Sequence, residues 1–170
     1  MPPGPLEIDL PDSAATEGLG MALASAFPGA AVGAVVHLRG DLGSGKTTCA
    51  RSLLHALGVT GIVRSPTYTL VDTYSVADLT CVHVDLYRLQ SRSEVEELGL
   101  RDLTGPNYLM LIEWPEKGGL AVPPADLKLQ LEYAGEARRA MLVAASPTGS
   151  SWLAKLAIDT SLRVYVSNLT

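Results

Sequence analysis

Cysteine is scarce in this chain: Cys49 and Cys81 are the only two among 170 residues, and no C-x-x-C spacing relates them. They read as small core residues of a protein from a reducing compartment. Long apolar runs are missing as well. No stretch approaches the roughly 18 residues of a membrane span, and the N-terminus has no basic segment followed by an apolar one, so the expected setting is cytoplasmic, with no membrane partner. Basic charge is in deficit, 13 Lys and Arg against 18 Asp and Glu for a net charge of −5. Phosphate backbones reward clustered Lys and Arg, so an independent DNA or RNA surface is not expected, and any RNA connection would run through a partner. Repeats and low-complexity tracts are absent too. Hydrophobic residues at 47% and charged residues at 18% give an ordinary globular balance, which fits one domain over residues 1–157 with a tail, 158–170, that the pattern does not place.

What is present is organised around Gly40-Asp41-Leu42-Gly43-Ser44-Gly45-Lys46-Thr47-Thr48. An apolar run, Ala34-Val35-Val36-His37-Leu38, precedes it, and Ala50, Leu53, Leu54 and Leu57 follow at the spacing of a buried helix face. Strand, glycine loop and helix in that order make the G-x-x-x-x-G-K-[ST] pattern a phosphate cradle. Backbone N–H groups of 42–48 would point at the phosphates, and the helix start would add partial positive charge. Lys46 would meet the β- and γ-phosphates, and the Thr47 hydroxyl would ligate Mg²⁺.

Two strand-end acids could complete such a site. Leu109-Met110-Leu111-Ile112-Glu113 has the form of a buried parallel strand that delivers a carboxylate to a metal shell. Leu79-Thr80-Cys81-Val82-His83-Val84 is a second buried strand, and Asp85 at its end is a candidate for orienting the attacking water or a metal-bound one, with helix capping or a pair to Arg88 as the alternative. His83 and His37 read as packed or hydrogen-bonded core histidines rather than catalysts. The hydroxyl-rich loop Arg64-Ser65-Pro66-Thr67-Tyr68-Thr69 reads equally as a γ-phosphate sensor and as a Ser-Pro turn into a strand over 69–74.

The remaining elements follow from periodicity. Residues 1–5 should be a loose end. A strand over 6–10 leads to a helix capped by Asp12 or Ser13, in which Ser13 or Thr16 could also lie near a nucleotide base. Ser93-Glu94-Val95-Glu96 reads as a capping box opened by Ser93. Alternation over 127–133 and 137–145 predicts an antiparallel hairpin across Gly135, and a last helix is expected over 151–157. The fold class is therefore α/β: a three-layer P-loop NTPase-like sheet with a parallel core, antiparallel edge strands and helices on both faces.

Taken together the motifs resemble the TsaE family, also called YjeE, of bacterial P-loop ATPases. The resemblance rests on the cradle 40–48, on Ser65-Pro66-Thr67-Tyr68-Thr69-Leu70-Val71, on His83-Val84-Asp85-Leu86-Tyr87-Arg88-Leu89 and on Glu113-Trp114-Pro115. It implies ATP and Mg²⁺ as cofactors and a role in making threonylcarbamoyladenosine at position 37 of tRNA. In that family ATP is hydrolysed on a TsaB–TsaD complex whose TsaD member performs the transfer, so tRNA is met only indirectly. By motif, Lys46 and Thr47 contact phosphate and metal, Glu113 ligates Mg²⁺, Asp85 assists hydrolysis and Thr67 becomes a switch residue. The chain departs from the family in having Gly135 before Glu136-Ala137-Arg138, which leaves base contacts from the hairpin open. Two other functions fit the same residues: a small-molecule kinase with Asp85 as base and Arg88 or Arg92 on phosphate, and a nucleotide-regulated docking module. A GTP switch lacks its Asn-Lys-x-Asp motif.

Overall fold

The computed structural model describes residues 3–167, so part of the expected loose end at 1–5 falls outside the described residues. Seven strands, β1 (Leu6–Leu10), β2 (Ala34–Arg39), β3 (Val71–Val76), β4 (Leu79–Asp85), β5 (Tyr108–Glu113), β6 (Leu127–Ala134) and β7 (Ala137–Ala144), form one sheet in the order β1-β7-β6-β2-β5-β4-β3. β6, β2, β5 and β4 pair in parallel, and β7, β1 and β3 extend the sheet antiparallel at its two sides. The predicted class, with its parallel core and antiparallel edges, is the class observed.

Side-chain alternation assigns the two faces. Val36, Leu38, Cys81, Leu109 and Leu111 lie under α1 (Ser13–Ala26), α2 (Lys46–Leu57) and α4 (Pro147–Ala157), whereas Val35, Val82, Val84, Met110 and Ile112 pack against Val95 of α3 (Arg92–Glu97) and Leu100 and Ala121 of short 3-10 turns. Because the strands of the parallel core are covered on both faces, they read as continuous apolar runs. The wing of β6 and β7 alternates between buried and wet positions.

Local chemistry explains the boundaries. Asp12 caps α1 by accepting from the Ala15 N–H at 2.8 Å, so of the two expected caps Asp12 serves and Ser13 is free. Gly20 lets α1 meet α2 closely, since a Cβ there would stand 2.5 Å from the Cys49 carbonyl oxygen. The capping box of α3 is Ser91 with Glu94, not one opened by Ser93: Ser91 takes the extended cap position, and the Glu94 carboxylate accepts from the Ser91 N–H at 2.9 Å. β3 starts at Val71, two residues later than expected, because the chain is still turning at Leu70, which has a left-handed φ of 68° and donates to the Pro66 carbonyl at 2.7 Å. α4 starts earlier than expected, with Ser146 as its cap and Pro147 at its first position. The tail that sequence pattern left unplaced docks on β1: the Asp9 N–H donates to the Tyr165 carbonyl at 2.7 Å, the Ser167 N–H donates to the Glu7 carbonyl at 3.1 Å, and Leu162 is buried. Residues 168–170 lie outside the described residues.

Candidate functional site

β2, β5 and β4 end at one edge of the sheet, where register sets Leu38, Glu113 and Asp85 side by side. From there β2 runs into the glycine loop, which turns into α2 at Lys46. Gly40 has φ 144°, and a Cβ there would lie 2.4 Å from the Leu131 carbonyl oxygen and 2.5 Å from Ser44 Oγ. Only glycine fits that close approach. His83, Asp85 and Glu113 fall on the sheet face that α2 covers, as their alternation with Cys81, Leu109 and Leu111 requires.

The charged groups here are almost wholly buried: Lys46, Asp85 and Glu113 are 5%, 4% and 2% exposed. Lys46 Nζ donates to the carbonyls of Gly40 at 2.6 Å and Asp41 at 2.9 Å and stands 4.3 Å from the centre of the Trp114 ring. Burial pulls its ammonium below the ordinary lysine value, while the nearby Glu113 and Asp85 carboxylates act in the opposite sense. Thr47 donates its hydroxyl to Glu113 Oε1 at 2.9 Å and Oε2 at 3.1 Å, and His83 Nε2 lies 2.9 Å from the same Oε1. Asp85 anchors the hydroxyl-rich loop: its Oδ2 accepts from Ser65 and, at 3.2 Å, from Thr67, while Oδ1 accepts from the Tyr87 N–H at 2.9 Å. Trp114 takes a left-handed conformation, φ 58°, and lies 5.0 Å from the Tyr87 ring.

Lys46, Thr47, Thr48, Thr67, Asp85, Glu113 and Trp114 thus share one cleft of about 340 Å³. A second cavity of about 150 Å³ opens on the other side of the glycine loop, between Asp12, Ser13 and Thr16 of α1 and Glu136 and Arg138 of the hairpin. Arg138 reaches the Gly43 carbonyl at 3.2 Å and stacks on Tyr133, whose hydroxyl donates to Leu42, so the hairpin is tied to the loop. Ser44 Oγ is buried without a partner beside this cavity, and Leu42 is exposed at the mouth of the first. The cradle residues 42–48, Ser13, Thr67, Asp85 and Glu113 are gathered on the two sides of one loop, whereas Arg88, stacked on Tyr68, and Arg92, beside Gly119, line neither cavity. Sequence reasoning left open Arg138 and Glu136, and it read His83 as a packed or hydrogen-bonded core histidine without naming Glu113 as its partner. Burial pushes the thiols of Cys49 and Cys81 up to about 12 and about 11, which suits two inert core residues.

Among the described residues no group of three His, Cys, Asp or Glu side chains could cage a metal. The cleft offers hard oxygen donors, the Thr47 hydroxyl and the Glu113 carboxylate, with Asp85 adjacent. A short, all-oxygen donor set of this kind fits an ion such as Mg²⁺, which keeps waters and takes further ligands from phosphates. The Thr47 hydroxyl donates its hydrogen bond to Glu113 and so keeps its lone pairs free for a cation.

No helix among the described residues is long and apolar enough to cross a membrane. The crystal structure of YdiB from Bacillus subtilis superposes with a TM-score of 0.72 at 26% identity, covering 91% of this chain and 95% of that one. The chain is 44% identical over 117 residues to the tRNA threonylcarbamoyladenosine biosynthesis protein TsaE of Haemophilus influenzae, covering 69% of this chain and 74% of that protein. It is 36% identical over 107 residues to the protein of the same name from Bacillus subtilis, covering 63% and 66%. A family model described as threonylcarbamoyl adenosine biosynthesis protein TsaE matches residues 10–141, and with relatives this similar over most of its length the chain belongs to the TsaE family.

Proposed function

We propose that this protein is a Mg²⁺-dependent ATPase that serves tRNA threonylcarbamoyladenosine formation, working in the cytoplasm with TsaB and TsaD and meeting tRNA only through them. The observation that carries the proposal is the convergence of Lys46, Thr47, Asp85 and Glu113 on one cleft at the start of α2. The backbone N–H groups of 43–48 and the Lys46 ammonium would hold the phosphates and offset charge that develops on them. Thr47 and Glu113 would hold Mg²⁺, which when bound supplies the positive charge that stabilises the transferring phosphoryl group. Asp85 would orient the attacking water or the metal's water shell, and Ser65 and Thr67, now hydrogen-bonded to it, would report γ-phosphate through the same carboxylate. The second cavity, with Ser13, Glu136 and Arg138 on its walls, is the place for the nucleoside end.

Two features favour hydrolysis on a partner over phosphorylation of a small molecule. Among the described residues that line the cleft, Lys46 is the only cation, so an arginine or lysine from a partner would complete the charge and raise a slow basal rate by orders of magnitude. Arg88 and Arg92, which a kinase would need on phosphate, do not line the cleft: Arg88 stacks on Tyr68 and Arg92 lies beside Gly119. The test is ATP hydrolysis with and without the TsaB–TsaD pair, for wild type and Lys46→Ala. ADP and phosphate should form, the pair should stimulate, and Lys46→Ala should abolish both rates. A pair that neither binds nor stimulates would sink the pathway assignment, and a phosphorylated acceptor would favour a kinase.

A further inference from the structure

His83 is wholly buried, and the way it is satisfied is lopsided. Its Nε2 meets Glu113 Oε1 at 2.9 Å, while its Nδ1 is buried with no partner at all. A carboxylate only accepts, so Nε2 must carry the hydrogen in this contact. The unpartnered Nδ1 costs free energy that an apolar side chain at the same place in β4 would not. A histidine held at that cost is explained by its one bond. That bond is selective, because Oε1 receives both His83 and the shorter Thr47 contact whereas Oε2 receives only the 3.1 Å Thr47 contact. Oε1 thus takes two contacts, one from α2 and one from the neighbouring strand, while Oε2 takes only the longer branch of the Thr47 contact and is the freer oxygen of Glu113.

We infer that His83 is a positioning residue: by holding Oε1 it fixes the rotamer of Glu113 and presents Oε2 to the divalent cation that accompanies the nucleotide. The inference rests on the proposed role of Glu113 toward Mg²⁺ and adds what makes that carboxylate competent. β4 then contributes twice to one cleft, through Asp85 directly and through His83 two residues earlier on the same face. Outer-shell partners of this kind change metal affinity on the order of tenfold to a hundredfold when removed.

The test compares three variants that separate reach from polarity. In His83→Gln the amide nitrogen can occupy the place of Nε2 and still donate to Glu113; His83→Asn is as polar but too short; His83→Leu fills the space with no donor. Each is loaded with a non-hydrolysable ATP analogue and titrated with Mg²⁺, using Trp114 fluorescence as the readout, since that ring stands over Lys46 in the cleft. Calorimetry gives the affinity for the analogue without metal. His83→Asn and His83→Leu should need about tenfold more Mg²⁺ for half-saturation, His83→Gln should stay within about threefold of wild type, and metal-free affinity should be unchanged in all three. Thermal melting identifies any variant that fails to fold, and the Asn and Gln pair decides the matter if Leu does. Equal Mg²⁺ midpoints for Asn, Gln and wild type would overturn the inference. Glu113→Ala distinguishes the two levels: if it too leaves the midpoint unmoved, the metal role of Glu113 falls, whereas if it shifts the midpoint and His83→Asn does not, only the positioning role falls.

Discussion

The tips of β2, β5 and β4 and the wing of β1, β7 and β6 handle charge in opposite ways. At the tips an ammonium, two carboxylates and an imidazole are buried, each held by short contacts within the chain. In the wing the ion pair between Arg139 and Asp9 leaves both side chains about half exposed, 52% and 54%. Burying charge costs several kcal/mol per ion unless partners compensate, and no structural requirement of the sheet calls for it, since the wing is built without it. The buried charges therefore mark where ligand contacts are expected to outweigh folding economy.

The comparison is sharpest when chemistry and stability are pulled apart. Lys46→Ala should lower ATP hydrolysis by about a hundredfold or more, measured as phosphate release, while thermal melting falls only modestly, because relief of the ammonium's desolvation offsets part of what is lost when the Gly40 and Asp41 carbonyls and the Glu113 and Asp85 carboxylates lose their buried cation. Gly20→Val should do the reverse. Its side chain would collide with the α2 backbone, so unfolding in urea should show a loss of ~1–3 kcal/mol, although no residue of the cleft is touched. Asp12→Ala removes the cap of α1 at the edge of the second cavity and should cost about 1 kcal/mol in the same assay. The smallest effect is expected in the wing, where Asp9→Asn should cost less than about 1 kcal/mol. Bonds from Ser167 first, and from Arg139, hold the Asp9 carboxyl below its ordinary value. That contribution is therefore present above the ordinary carboxylate pKa and lost as pH falls through the lower, folded value. Melting curves of wild type and Asp9→Asn should converge at strongly acid pH, and a wing mutation as costly as Gly20→Val would break the contrast.

Much of this was legible in the sequence because it is local. A strand, a glycine loop and a helix adjoin in the chain, and an apolar run closing on Glu113 needs no knowledge of its neighbours. Strand order, by contrast, is set by contacts between distant segments, so nothing in the chain order says that β4 and β5 pair to bring His83 against Glu113. A signal for His83 did exist: it stands two residues before Asp85 in one strand, and alternation sends both to the same face. The capping box slipped by two residues because Ser91 with Glu94 and Ser93 with Glu96 both have the required spacing, and only backbone conformation separates them. Residues 158–167 have no period of their own, since their order comes from bonds to β1.

That last contact has a bearing on handling the protein. β1 is the outermost strand on its side, and residues 165–167 occupy backbone groups that would otherwise be offered to any passing chain. A version clipped near residue 160 would keep its cleft intact and still bare a strand margin next to Ile8, so its first symptom should be clumping at high concentration, with catalysis in dilute solution largely spared.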